Sequence, residues 1–225
     1  MRALLVCPIS SSGSPALVGE LASACDVVIA VDGGAELCAS AGVMPDLAVG
    51  DFDSAAPGTL GALRDAGVEV VTFPAEKDAT DLELALATAR SRGATEVLIA
   101  GAVGGRLDHM LAVVGALARE RSMRPELVET DIHCWLLAAD ARSSISLAGD
   151  GALVSAMAVA GPAVVTVTGT KWELEAARLE PLAGLGVSNV LTAGTATVEV
   201  AEGVVLVVSA SEGGSMIAEA VGEGR

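Results

Sequence analysis

A chain of 225 residues with 13 basic against 29 acidic side chains has a net charge of −16, which repels nucleic-acid backbones and anionic membrane surfaces over most of its area. Two Phe, two Trp and no Tyr leave few platforms for stacking bases, which argues against a single-stranded nucleic-acid binder. No run approaches the roughly 20 unbroken apolar residues of a membrane span; the nearest, Ala152–Val165, is interrupted by Ser155, Gly161 and Pro162.

The first half alternates strands and helices. Arg2–Cys7 is a short apolar run whose Ala3–Cys7 is too short for a signal-peptide core, and it reads as a buried strand running into Pro8 and a loop at Ser10–Ser14. A helix is predicted over Pro15–Ala24 and a strand over Asp26–Val31, which delivers Asp32-Gly33-Gly34. A short helix over Ala35–Ala41 stops at Gly42, and a strand at Leu47–Val49 leads into Asp51. Thr59–Ala66 reads as a helix ended by Gly67, and Glu69–Phe73 as a strand. Thr80–Arg92 is helical, with Leu82, Leu84, Ala85, Leu86 and Ala89 forming its apolar face and Gly93 its stop. Glu96–Ala100 is a strand, Leu107–Arg121 a long helix and Ile132–Leu137 a further strand. Strands separated by helices of this length predict parallel βαβ units.

After about Ala141 the texture changes to short Val/Thr/Leu runs punctuated by Gly and Pro: Ser144–Leu147, Leu153–Val159, Ala163–Thr168, Trp172–Leu179, Ala196–Val200 and Val204–Ser209. Glu202-Gly203 reads as a hairpin turn joining the last two, and the tail from Ser211 is expected to fray. This half predicts an antiparallel sandwich or barrel. The change in composition, near residues 138–143, divides the chain into an α/β domain over 1–140 and a β domain over 141–225. Cys7, Cys25, Cys38 and Cys134 form no Cys-x-x-Cys pair, so free thiols in a reducing cytoplasm are expected.

The chemistry-bearing segments sit where strands meet helices, on the side where open α/β sheets bind ligands. Asp51 and Asp53 follow a strand at i and i+2; in extended backbone both would point the same way and could grip one cation. The same residues also suit simple turn chemistry. Thr80 and Asp81 open a helix, where Thr80 would cap it, Glu83 would complete the cap and Asp81 could face a cation. Gly33 and Gly34 allow close approach of backbone to a ligand. Gly104-Gly105-Arg106 opens another helix and reads as a phosphate cradle, with Asp108 and His109 in the first turn. His109 and His133, the two histidines, have no Cys partner, so zinc is not expected, and His133 is given no role.

In order and spacing, Asp-Gly-Gly-Ala at 32–35, Gly-Asp-Phe-Asp-Ser at 50–54, Lys-Asp-Ala-Thr-Asp-Leu-Glu at 77–83 and Gly-Gly-Arg-Leu-Asp-His at 104–109 resemble the thiamine pyrophosphokinase (thiamine diphosphokinase) family, bacterial type. Gly169–Leu174 and Gly186–Asn189 resemble its C-terminal segments more loosely. The resemblance implies an α/β domain followed by a β-sandwich, a homodimer, and transfer of a diphosphate from ATP to the hydroxyethyl oxygen of thiamine, releasing AMP. It implies Mg²⁺ held by Asp51, Asp53 and Asp81, and a nucleotide and reaction centre at Asp32, Gly33 and Gly34. It further implies nucleotide contacts from Lys77, Asp78, Thr80, Gly104, Gly105, Arg106, Asp108 and His109, and vitamin contacts from Ser188 and Asn189 beside the dimer interface. Asp32 is a candidate for orienting or deprotonating the alcohol, and Lys77 is better suited to phosphate than to cationic thiamine. Val190 and Leu191 stand where some members carry an aromatic, and Thr170 replaces a commoner Leu. Two other readings share these motifs: a pyrophosphokinase for another alcohol such as a pterin, and a non-catalytic nucleotide or metal sensor.

Overall fold

The computed structural model describes residues 1–9, 14–53, 55–192, 194–210 and 218–223. The chain divides into two compact units, Met1–Ala116 with Leu127–Thr130, and Leu117–Glu126 with Asp131–Arg225. The composition changes at 138–143, whereas contacts already group Asp131–Ala138 with the second unit.

The first unit alternates β1 (Arg2–Val6), α1 (Pro15–Ser23), β2 (Val27–Val31), α2 (Gly34–Ser40), β3 (Leu47–Gly50), α3 (Thr59–Asp65), β4 (Glu69–Thr72), α4 (Asp81–Ser91), β5 (Glu96–Ala100) and α5 (Leu107–Arg119). The strands lie in the order β5-β1-β2-β3-β4 and are parallel, with Val6 opposite Ala30 and Ala100, and Val31 opposite Val49. Nearly every residue of β1, β2, β3 and β5 is buried, as expected where helices cover a parallel sheet. Helix α1 starts because Ser14 Oγ accepts from Leu17 N at 3.1 Å and Pro15 occupies its first turn. Helix α4 has the predicted capping box: Thr80 Oγ1 accepts from Glu83 N, and Glu83 Oε2 accepts from Thr80 N at 2.8 Å. Its Leu82, Ala85, Leu86 and Ala89 are buried, while Leu84 is half-buried at the edge of that face. An unpredicted strand, β6 (Pro125–Val128), leads into Leu127–Thr130, which returns to this unit beside β5.

The second unit holds β7 (Ile132–Ala138), β8 (Ser144–Ala148), β9 (Leu153–Ala158), β10 (Ala163–Thr168), β11 (Leu174–Leu179), β12 (Asn189–Val190), β13 (Thr195–Glu202), β14 (Val204–Ala210) and β15 (Glu219–Glu223). One antiparallel set runs β12-β9-β14-β7 and the other β11-β10-β13-β8-β15. Strands β9 and β10 alternate between buried and half-exposed positions, and their inward residues join Trp135, Leu137, Ile145, Val198 and Val207 in one core. This is a sandwich rather than a barrel.

Two expectations are corrected. Glu202-Gly203 is not a hairpin: β13 pairs with β10 and β8, whereas β14 pairs with β7 and β9, so the chain crosses there from one sheet to the other. Ile132–Leu137 forms the further strand expected, β7, which pairs antiparallel with β14. The tail is not frayed throughout: Ala218 is fully buried and donates its N–H to Ser209 Oγ at 2.7 Å, and β15 pairs with β8. Residues 211–217 and 224–225 of that tail lie outside the described residues, as does the 10–13 stretch of the first loop.

Candidate active site

The site forms at the C-terminal ends of the first unit's parallel strands. Asp32 follows β2, continues its ladder by donating N–H to Val49 O at 2.8 Å, and turns at φ 48°. Gly50 makes this approach possible, because a Cβ there would stand 2.9 Å from the Asp32 Cα. The chain then turns at Phe52, φ 59°, whose ring is buried in the α/β core. Asp53 N donates to Asp51 Oδ1 at 3.2 Å. Asp51 and Asp53 therefore converge through a turn anchored by Phe52, not through the extended backbone expected from their spacing; Ser54 lies outside the described residues.

Asp32, Asp51 and Asp53 each place one carboxylate oxygen within 4.8 Å of the others. Three hard oxygen donors converging from two strand ends fit Mg²⁺, which takes oxygen ligands. The mutual repulsion shows in Asp53, whose pKa is raised chiefly by Asp51 and also by burial and by Asp32. Asp51 goes the other way: its bond from Lys77 holds it below the ordinary carboxylate range. Lys77 Nζ lies 2.6 Å from Asp51 Oδ2 and 2.9 Å from Asp81 Oδ1. The expected trio of Asp51, Asp53 and Asp81 is thus divided, with Asp32 joining the first two and Asp81 reached across Lys77.

Asp32, Asp51, Lys77 and Asp81 open onto a cavity of about 380 Å³. Its walls come from the ends of β1, β2, β3 and β5 and the approach to α4: Cys7 to Ile9 after β1, Asp32, Asp51, Ala75, Lys77 and Ala79 to Leu82, Ala102 after β5, and His109, Ala112 and Val113 of α5. Thr80 lines it while its hydroxyl serves the α4 cap, and Asp78 is exposed and outside the lining. The Cys7 thiol is pushed far up, first by burial and then by Glu129 and Asp81, so it stays protonated and serves as apolar wall.

The glycine-rich segments divide by role. At Gly34 a Cβ would lie 1.8 Å from Val6 O, so this glycine lets α2 pack against β1; Gly33 precedes it as the first-turn cap of that short helix. Gly104, Gly105 and Arg106 run at the surface into α5, and Arg106 donates to Asp108 from Nε at 3.0 Å. That pair draws the Asp108 carboxyl down to about 2. Asp108 Oδ1 also accepts from His109 N at 3.0 Å.

Sequence reasoning missed Glu129. It is 3% exposed and its carboxylate accepts from three consecutive backbone N–H groups: Gly101 at 3.1 Å, Ala102 at 2.8 Å and Val103 at 3.1 Å. This acid fills the turn after β5 from within and engages the Gly101, Ala102 and Val103 N–H groups itself. It lies in no motif and follows a strand that the pattern did not predict. Glu129→Ala is expected to cost about 2 kcal/mol by stranding buried donors. Thermal melts check it, with Glu129→Gln expected to fall between the two proteins.

In the second unit Asn189 is buried with its carboxamide fully engaged. Oδ1 accepts from Trp172 N at 3.1 Å and Val190 N at 2.9 Å, and Nδ2 donates to Thr170 Oγ1 at 3.0 Å and Trp172 O at 2.7 Å. It therefore holds the turn that presents Trp172, which is 54% exposed with Lys171 Nζ 4.5 Å from its ring centroid. Ser188 is exposed and donates its N–H to Ser155 Oγ at 3.0 Å.

Parallel strands that carry carboxylates to one crevice, followed by an antiparallel sandwich, define a two-unit α/β and β protein with a cation-ready acidic site. Residues 18–128 match the pattern described as "Thiamin pyrophosphokinase, catalytic domain" and residues 143–205 that of "Thiamin pyrophosphokinase, vitamin B1 binding domain". The chain belongs to the thiamine pyrophosphokinase family. It is 34% identical over 107 residues to thiamine pyrophosphokinase of Bacillus subtilis, an alignment covering 47% of this chain and 50% of the relative. It is 29% identical over 140 residues to thiamine pyrophosphokinase 1 of Oryza sativa, covering 58% and 53%. The aligned chain thus spans about half the length of these relatives. The crystal structure of thiamin pyrophosphokinase from Geobacillus thermodenitrificans superposes with a TM-score of 0.79 at 26% identity, covering 96% of this chain and 100% of that one.

Proposed function

We propose that the protein transfers a diphosphate group from ATP to the hydroxyethyl oxygen of thiamine. The alcohol oxygen attacks the β-phosphorus, a new O–P bond forms, the bond from the β-phosphorus to its bridge oxygen with the α-phosphorus breaks, AMP leaves with that oxygen, and the hydroxyl proton is released. The observation that carries this reading is the convergence of Asp32, Asp51 and Asp53 at the strand ends, beside Lys77 and Asp81, in a chain of this family. In this reading Asp32, Asp51 and Asp53, with Asp81, hold Mg²⁺, which when bound offsets phosphate charge. The residues' own work is placement: Lys77 offers an ammonium to phosphate oxygens, Gly104–Arg106 offer N–H groups and a guanidinium, and Asp32 orients the alcohol. His109 borders the nucleotide, and Ser188, with Trp172 held by Asn189, attends the vitamin.

A homodimer is part of the proposal, supported by the exposed apolar pair Leu107 and Leu111 one turn apart on α5; light scattering gives the mass. A cytoplasmic setting is proposed from the free thiols Cys7, Cys25, Cys38 and Cys134. Among the described residues no helix is long and apolar enough to cross a membrane. The test of function is AMP release from ATP and Mg²⁺ with and without thiamine, with products weighed by mass spectrometry. Thiamine-dependent AMP together with thiamine diphosphate is expected; ATP binding with no AMP would overturn the reading.

A further inference from the structure

Lys77 is held where a cation would be expected. Its side chain is 13% exposed, and its ammonium sits between Asp51 Oδ2 at 2.6 Å and Asp81 Oδ1 at 2.9 Å. Asp51 is also a member of the carboxylate trio, so one carboxylate serves the ammonium with one oxygen and, through the other, the turn to Asp53. Three carboxylates, Asp32, Asp51 and Asp81, thereby line one cavity together with the Lys77 ammonium, and Asp53 joins Asp32 and Asp51 in the trio.

We infer that Lys77 is an internal counter-ion that competes with the divalent metal for Asp51 and Asp81, so that metal and nucleotide bind cooperatively. The inference rests on the metal-dependent reading above. Its physics is charge balance. A divalent ion entering beside an ammonium meets like-charge repulsion, and it must take Asp51 from a bond already made. Polyphosphate supplies the missing acceptor: once it is present, the ammonium can leave Asp51 for phosphate oxygens, and the metal gains a free carboxylate. Linkage then requires that each ligand tighten the other by the same factor. Lys77 therefore disfavours loading of metal alone and favours loading of the metal–nucleotide pair.

The test is titration of the full chain with Mn²⁺ without nucleotide, by calorimetry and by the electron-spin signal of free Mn²⁺. Wild type, Lys77→Met, Lys77→Gln, Lys77→Arg and Asp51→Asn are compared after thermal melts confirm folding. Lys77→Met and Lys77→Gln are expected to bind Mn²⁺ alone about tenfold tighter than wild type, and Lys77→Arg, which keeps the charge, to bind like wild type. Adding ATP should tighten Mn²⁺ binding in wild type by a larger factor than in Lys77→Met. Mn²⁺ binding that depends on Asp51 but is no tighter in either neutral variant would overturn the inference and leave the metal reading standing. Mn²⁺ binding by none of the proteins, or binding indifferent to Asp51→Asn, would overturn the metal reading and the inference with it.

Discussion

Asp51→Asn is expected to lower turnover about a thousandfold while leaving the fold in place. Asn keeps the size of the side chain and one oxygen to accept from Asp53 N, the bond now made at 3.2 Å. It removes the charge that meets both Lys77 and the carboxylate trio. Asp51 is the member that the site can least replace, because it both bonds Lys77 and belongs to the carboxylate trio. Asp53 is fully exposed and belongs to the trio without bonding Lys77, so Asp53→Asn is expected to cost less. Single-turnover AMP release, measured beside a melting curve, separates the two outcomes. Wild-type turnover in a folded Asp51→Asn protein would sink the assignment.

The fold was legible where one physical signal dominated. Buried parallel strands read as unbroken apolar runs, and α4 announced itself by both its face and its Thr80–Glu83 cap. The sandwich was less so, because Gly203 suits a tight hairpin and a crossing between sheets equally well; pairing partners distant in sequence decide between them. The acidic site was legible as a set of segments but not as a geometry. Asp32 joins Asp51 only because Gly50 leaves room for it, and the Asp51–Asp53 turn depends on Phe52 reaching the core. Gly34 looked like a ligand-facing glycine and is a packing one. Glu129 satisfies backbone groups remote in sequence, so no local pattern marks it, and Asn189, marked by its segment, spends its carboxamide on the Thr170–Trp172 turn.

The second large effect lies away from the cavity. Glu126→Ala is expected to cost about 3 kcal/mol, a fall in Tm of roughly 6–12 °C. Glu126 is 8% exposed and Arg142 2%, and they meet at 2.8 Å through Arg142 Nη2 and Glu126 Oε1. Glu126 Oε2 lies 3.1 Å from His133 Nε2, and that imidazole stacks on Trp135 with centroids 4.0 Å apart. Removing the carboxylate leaves a buried guanidinium without the counter-charge it was packed against, which costs more than the pair ever contributed. Glu126→Gln keeps shape and one acceptor but not the charge, so it is expected to lie between wild type and Ala. Burial alone would raise the Glu126 carboxyl, yet His133 and Arg142 outweigh it and hold it below its ordinary value. A group lowered on folding contributes stability above its unfolded pKa, and the contribution is lost as pH falls through the folded one. The gap between wild type and Glu126→Ala in urea unfolding should therefore be full at pH 7.5 and shrink as the solution is acidified below the ordinary carboxylate range. A gap that stays constant on acidification would mean that Glu126 acts by its shape and not by its charge.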